Sequence, residues 1–290
     1  MQQLSPLDCE NAPVTLVMMI MRREGIWLST DRRVTRAGRP EPDAPKQLAI
    51  LCPPTPGQGP RILLGFTGIA EMPDGTPTLQ WIRETVRGES RPLVPLLEHL
   101  RDRLIRDVGK RSALWKQGLA LVGGILDGDG TRLIMQISNI RQRPWSDPSR
   151  EFRLLIDKMP DPVFMAIGSG QPHISRQDGK LAVAQTKIRP RKWEDHASLL
   201  AAINRRTSKR SNGGVSPWCD VTFISVEREG AVCQLFREPG DPPVPVELNL
   251  VLDGIDTTEI ARLIMSVPPG TPWSKDKEEQ ATRRQVDGRA

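Results

Sequence analysis

The chain is poor in the residues on which motif-bearing enzymes usually depend. Its 290 residues include three histidines (His99, His173, His196) and four cysteines (Cys9, Cys52, Cys219, Cys233). The histidines are too dispersed for an HExxH pair or a metal cluster, and each reads as an ordinary helix or surface residue. The cysteines show no CxxC spacing, and a chain of this length needs no disulfide scaffold, so a reducing cytoplasm is expected. No Walker A or dinucleotide-binding glycine pattern occurs. Gly168-Ser169-Gly170 is no nucleophile elbow, because the residue two before Ser169 is Ile167. Asp127-Gly128-Asp129-Gly130 fails as a calcium loop, since the twelfth position is Ser138 where glutamate is required, and it reads as a hairpin turn. Neither a metal nor a cofactor is therefore expected. The apolar stretch Val14–Met21 follows Asp8 and Glu10 and lacks a basic leader and a small-residue cleavage site. It is too short to span a membrane and reads as a strand, so no membrane partner is expected.

What is present fits a soluble globular protein: 38% hydrophobic and 26% charged residues, enough for a substantial core. The net charge of +6 and a pI near 9.4 raise the question of nucleic acid. The arginines, however, are scattered through RRE, DRR, IRQR, RPRK and NRRTSKR. No zinc-finger spacing, RNP-like aromatic motif or glycine-arginine repeat accompanies them, so a basic surface is the expectation and a nucleic-acid partner is not.

Hydrophobic periodicity orders the chain. Val14–Met21 and Ile26–Ser29 flank Arg22-Arg23-Glu24-Gly25 and predict a hairpin. Residues 36–45 read as a loop, and Gln47–Cys52 and Arg61–Phe66 as strands. Thr78–Val86 and Leu93–Val108 carry helical apolar stripes, the second through Leu93, Leu96, Leu97, Leu100, Leu104 and Ile105. Leu119–Ile125 and Arg132–Ser138 flank the DGDG turn, and Phe152–Ile156 and Val163–Ile167 continue as strands. Ala197–Arg206 reads as a helix, and Asp220–Val226 with Ala231–Phe236 as a last hairpin. Residues 239–247 read as a linker, followed by a strand at Leu248–Leu252 and a short helix at Thr258–Ser266. Blocks of strands and helices in this order imply helices layered on antiparallel sheets, an α+β architecture.

One stretch, GIWLSTDRRVT (residues 25–35), places Asp31 and Arg33 at the end of an apolar strand. Taken alone it reads most simply as an exposed strand-end aspartate flanked by arginines. Its surroundings say more. Thr15 lies ten residues before Gly25, Asp31 six residues after it, and Arg33 and Thr35 follow in an S-x-D-x-R-x-T pattern. Lys46 stands in DAPKQLAI, Phe66 and Gly68 in GFTGIAE, and Ile167–Gln171 reads IGSGQ. With the hairpin LALVGGILDGDGTRLIMQISN, this set resembles the proteasome β-subunit family of N-terminal-nucleophile (Ntn) hydrolases, as a divergent bacterial member, over residues 14–236. The resemblance implies a four-layer αββα sandwich. It implies an N-terminal extension or propeptide at 1–13 and an Ntn-hydrolase domain at 14–238; composition adds a C-terminal extension at 239–270 and a charged tail without apolar periodicity, read as disordered, at 271–290. It also implies catalytic roles for Thr15, Asp31, Lys46, Arg33, Gly68 (an oxyanion-hole N–H) and Ser211, substrate contacts at Phe66 and Thr35, and subunits that associate with one another.

The chemistry such residues would perform is coherent. A threonine hydroxyl is a weak nucleophile that needs a base, and a terminal threonine carries its own in the α-amine. A nearby lysine ammonium keeps that amine neutral, and a carboxylate holds the lysine. The sequence also departs from the family pattern. Val14, preceded by Pro13, stands where a glycine is usual; Ser208 replaces an aspartate and Gln171 a serine. Two readings stay open on these residues. One is a threonine-type peptidase or amidohydrolase acting on peptide-like amides after loss of its leader. The other is a catalytically inactive homologue acting in assembly or binding.

Overall fold

Strand β1 (Val17–Arg22) is buried along its whole length, which an alternating half-buried strand would not be. Val17, Met19 and Met21 point to one face and Leu16, Met18 and Ile20 to the other. A strand apolar on both faces must be covered on both. Full burial of each large apolar side chain contributes roughly 1.5–3 kcal/mol relative to exposure, so the pattern dictates a layered fold. The computed structural model describes residues 15–36, 39–41, 44–52, 59–110, 112–140, 148–158, 162–188, 190, 192–227, 231–237, 243–245, 249–252 and 254–257. The extension 1–13, the helix expected at Thr258–Ser266 and the tail 271–290 lie outside these residues.

β1 turns through Arg23 and Glu24 into β2 (Gly25–Asp31), with Arg22 opposite Gly25. A short hairpin follows, β3 (Val34–Arg36) with β4 (Arg39–Glu41), in the region read as a loop. Next come β5 (Gln47–Leu51), β6 (Arg61–Gly68), helix α1 (Thr78–Val86) and helix α2 (Leu93–Leu104), which continues through a π-helical turn. The chain then forms β7 (Leu119–Leu126), β8 (Arg132–Ser138), β9 (Arg153–Lys158) and β10 (Val163–Ile167). Helices α3 (Arg176–Thr186) and α4 (Trp193–Arg210) precede β11 (Cys219–Ser225) and β12 (Ala231–Phe236). The last strands are β13 (Val244–Pro245), β14 (Leu250–Leu252) and β15 (Ile255–Asp256).

One sheet runs β10-β1-β2-β11-β12-β13 and the other β15-β14-β5-β6-β7-β8-β9, with every pairing antiparallel except β14 on β5. The leucine stripe of α2 packs with α1 on the seven-stranded sheet, and α4 covers the six-stranded one. Between the sheets lie Val17, Met19, Ile26, Leu28, Leu63 and Ile134 among others. This is a four-layer αββα sandwich.

Three features differ from the reading of the sequence. Helix α3 has no clean apolar stripe, because Leu181 and Val183 are exposed while Ala182 is buried. Its start is marked instead by Ser175, whose hydroxyl accepts from the Asp178 N–H at 3.0 Å. Helix α4 extends beyond Ala197–Arg206 at both ends. The proline-rich segment read as a linker contributes β13 to one sheet, and the chain beyond it adds β14 and β15 to the other, so this part of the C-terminal extension is built into the sandwich. Among the described residues no helix is long and apolar enough to cross a membrane.

Candidate active site

Strand ends from both sheets converge beside Thr15. The residue leads into β1 and is 4% exposed. Its backbone is clamped by the loop after β10: the Thr15 N–H donates to Ser169 Oγ at 3.1 Å, and the Gly170 N–H donates to the Thr15 carbonyl at 2.9 Å. Gly168 makes that approach possible. Its φ is +109°, and a Cβ there would sit 2.4 Å from the Thr15 carbonyl oxygen. From the opposite sheet Thr67 of β6 brings its hydroxyl against that of Thr15.

Asp31 ends β2 fully buried, and four donors reach its carboxylate. Oδ1 accepts the Leu16 N–H at 2.8 Å and Lys46 Nζ at 2.9 Å. Oδ2 accepts the Arg33 N–H at 3.1 Å and the Ser216 N–H at 3.3 Å. Both oxygens are therefore satisfied, which makes a buried charge tolerable. The apolar strand ends in an acid because this acid ties together the starts of β1 and β5 and the loops before β3 and β11. Lys46, just before β5, is equally sealed, at 0% exposure. Burial drives its pKa below the ordinary lysine value; the attraction of Asp31 opposes that shift and the positive charge of Arg33 adds to it. Because Lys46 Nζ and the Leu16 N–H share one oxygen, the ammonium is held beside the residue that follows Thr15.

The remaining residues singled out by sequence divide. Arg33 points its guanidinium toward the loop at Gly213, where a glycine Cβ would meet its Nη1 at 3.7 Å. Gly68 closes β6 with φ +102°, and a Cβ there would lie 2.1 Å from the Gly118 carbonyl oxygen, so no other residue fits. The hydroxyl of Ser211 is engaged within its own loop, donating to the Ser208 carbonyl at 3.0 Å and accepting from the Val215 N–H at 3.0 Å. It shapes the segment that delivers Ser216 to Asp31. Phe66 faces the helix layer with Ile69 and Met72, opposite to Thr67, and is 3% exposed. Thr35 lies in β3 opposite Pro40, and its side chain is outside the described residues. Cys219 is an inert thiol, pushed up to about 12 chiefly by burial.

Ser169, Thr67 and Ser216 escaped the reading of the sequence as site residues. Ser169 had a signal in IGSGQ. Thr67 had one in strand parity, since it shares a face with Leu63 and Gly65. Ser216 contributes a backbone N–H, which no side-chain pattern reveals. Among the described residues no group of three His, Cys, Asp or Glu side chains could hold a metal ion.

No protein-family model matches the sequence, and no curated protein does either. Solved structures do. The Anbu complex from Pseudomonas aeruginosa, described as a helical assembly, is similar at a TM-score of 0.52 and 13% identity, over 90% of this chain and 99% of that one. Anbu from Hyphomicrobium sp. strain MC1 aligns at 0.48 and 12% identity, over 89% and 100%. Anbu (ancestral beta-subunit) from Yersinia bercovieri aligns at 0.47 and 14%, over 72% and 82%. The first of these likenesses supports the layered αββα fold; identities this low carry nothing about activity.

Proposed function

We propose that this protein is a threonine-type peptidase or amidohydrolase of the proteasome-like Ntn class, with Thr15 as nucleophile once the residues before it are removed. The observation that carries the reading is the Asp31 carboxylate, which binds the sealed Lys46 ammonium and the Leu16 N–H on one oxygen. An ammonium buried at such a cost beside a threonine is sensible where a charge must be controlled and hard to explain otherwise.

Peptide-bonded to Val14, the Thr15 nitrogen is an amide and cannot act as a base, and the hydroxyl of Thr67 is no base at neutral pH. Freed, the α-amine is a base weak enough to be partly unprotonated in neutral solution, and the positive charge of the neighbouring Lys46 favours that neutral form. It takes the Oγ1 proton while Oγ1 bonds to the carbonyl carbon of a substrate amide. The Gly68 N–H serves the oxyanion, and the amine product departs with the proton. Water then hydrolyses the ester and regenerates Thr15. Substrates are peptide-like amides, the protein acts in the cytoplasm, and its subunits associate, as in the assembly described for the Pseudomonas aeruginosa relative.

Two observations favour a second reading, an inactive homologue acting in assembly or binding: the Thr15 N–H is already engaged by Ser169, and Ser208 stands where the family carries an aspartate. Intact-mass spectrometry of the purified, assembled protein separates the two. Loss of residues 1–14, abolished by Thr15→Ala, is the expected result. A chain that keeps Val14 on Thr15 in its assembled state overturns the hydrolase.

A further inference from the structure

Among the described residues, the hydroxyl of Thr15 meets another hydroxyl, that of Thr67. We infer that Thr67 is a positioning residue that fixes the side-chain rotamer of Thr15; the consequence for rate rests on Thr15 being the nucleophile. Thr67 is suited to this. It sits opposite Ala120 inside a continuous ladder, where β6 pairs with β7 from Arg61 to Gly68, so its backbone cannot drift. Its β-branched side chain has a stiff χ1 and is 5% exposed. The turn after β10 closes over the pair: a Cβ on Gly168 would lie 2.9 Å from Thr67 Oγ1. Phe66, rooted in the helix-side core, and Gly68, confined by the Gly118 carbonyl, fix Thr67 from both sides.

The chemistry follows from the inventory of a hydroxyl, one proton and two lone pairs. A single partner held on a rigid strand selects one of the three staggered positions of Thr15 Oγ1 and leaves its remaining valence for attack. Thr67 exchanges no proton with substrate. It acts through Thr15.

The test uses the full-length chain with ¹³C-methyl threonine, the Thr15 methyl being assigned by its loss in Thr15→Ala. Three-bond couplings from that methyl to the backbone nitrogen and carbonyl carbon report χ1 without any need for activity. Single-rotamer couplings are expected in the unmodified protein and in Thr67→Ser, which keeps the hydroxyl. Averaged couplings are expected in Thr67→Val, which keeps the shape, and in Thr67→Ala, which substitutes should the valine variant not fold. Single-rotamer couplings in the folded valine or alanine variant overturn the inference. In the second measurement, the rate of leader loss by intact mass, Thr67→Val falls about tenfold and Thr67→Ser stays within about threefold, the scale of one neutral hydrogen bond. An unmodified protein that never loses its leader refutes the hydrolase reading and leaves the couplings to decide the role of Thr67.

Discussion

Asp31 and Asp256 are both fully buried and both face cations, yet they serve different ends. Asp256, on β15, accepts from Arg83 Nε at 3.0 Å and Nη2 at 2.7 Å, with Arg87 at 3.6 Å. Those side chains are 12% and 34% exposed, so each guanidinium still reaches water. With the Gly88 N–H donating to the Gly254 carbonyl at 2.7 Å, the pair fastens the C-terminal strands onto α1. The partner of Asp31, by contrast, has no solvent at all, and the other donors to its carboxylate are backbone groups next to Thr15 and on two loops. A buried acid with a cation is therefore no mark of a site. What sets Asp31 apart is a cation sealed with it, of the type whose pKa burial can move, on a carboxylate that also holds the N–H next to Thr15.

The comparison is broken most directly at Lys46. Lys46→Met leaves the Asp31 charge without its cation, and a cost of about 3–5 kcal/mol in urea unfolding is expected, together with complete loss of leader removal. A variant that unfolds at the same urea concentration as the unmodified protein would show that the pair carries no buried charge. Asp256→Asn sharpens the contrast. Its arginines retain access to water, so the expected cost is about 1–2 kcal/mol. The rate of leader loss should not change, because the latch lies away from Thr15. Equal costs for the two substitutions would erase the distinction drawn between them.

The sequence carried much of this fold because several elements announce themselves without tertiary help. β1, apolar on both faces, requires a layer on each side, and the α2 stripe requires a sheet. Helix α3 was hidden because outward-facing Leu181 and Val183 blur its periodicity; tertiary packing of Asp178, Ala182 and Thr186 defines its inner face. At the site, the spacing of Thr15, Asp31 and Lys46 was legible because the paired groups follow one another over two strands. The donors that complete Asp31 were not, since Ser216 lies far along the chain and acts through its backbone. Phe66 was assigned by motif position, but strand parity turns it to the helix layer and gives the inward place to Thr67.

A third buried ionisable group supplies the smallest effect and the cleanest control, because among the described residues no ion pair reaches it. His196, on α4, stands edge-on to Trp27 with ring centroids 4.9 Å apart, and among the described residues its Nε2 has no hydrogen-bond partner. Burial pulls its pKa down to about 4; the positive charge of Arg22 assists, and Asp195 and Glu24 oppose. The folded protein therefore resists protonation that the unfolded chain accepts below pH 6.5. Stability from this source is complete above that pH and is lost as pH falls toward about 4. His196→Phe keeps an aromatic edge against Trp27 and removes the titration. Urea midpoints of the two proteins should stay nearly parallel at neutral pH and draw apart as the solution is acidified, with the phenylalanine variant the less sensitive. Leader removal at neutral pH should be the same in both, since His196 packs on the helix side of β2 and not at Thr15. A gap between the proteins that does not change with pH would mean that His196 is not the group whose charge α4 excludes. The contrast would then rest on Asp31 and Asp256 alone.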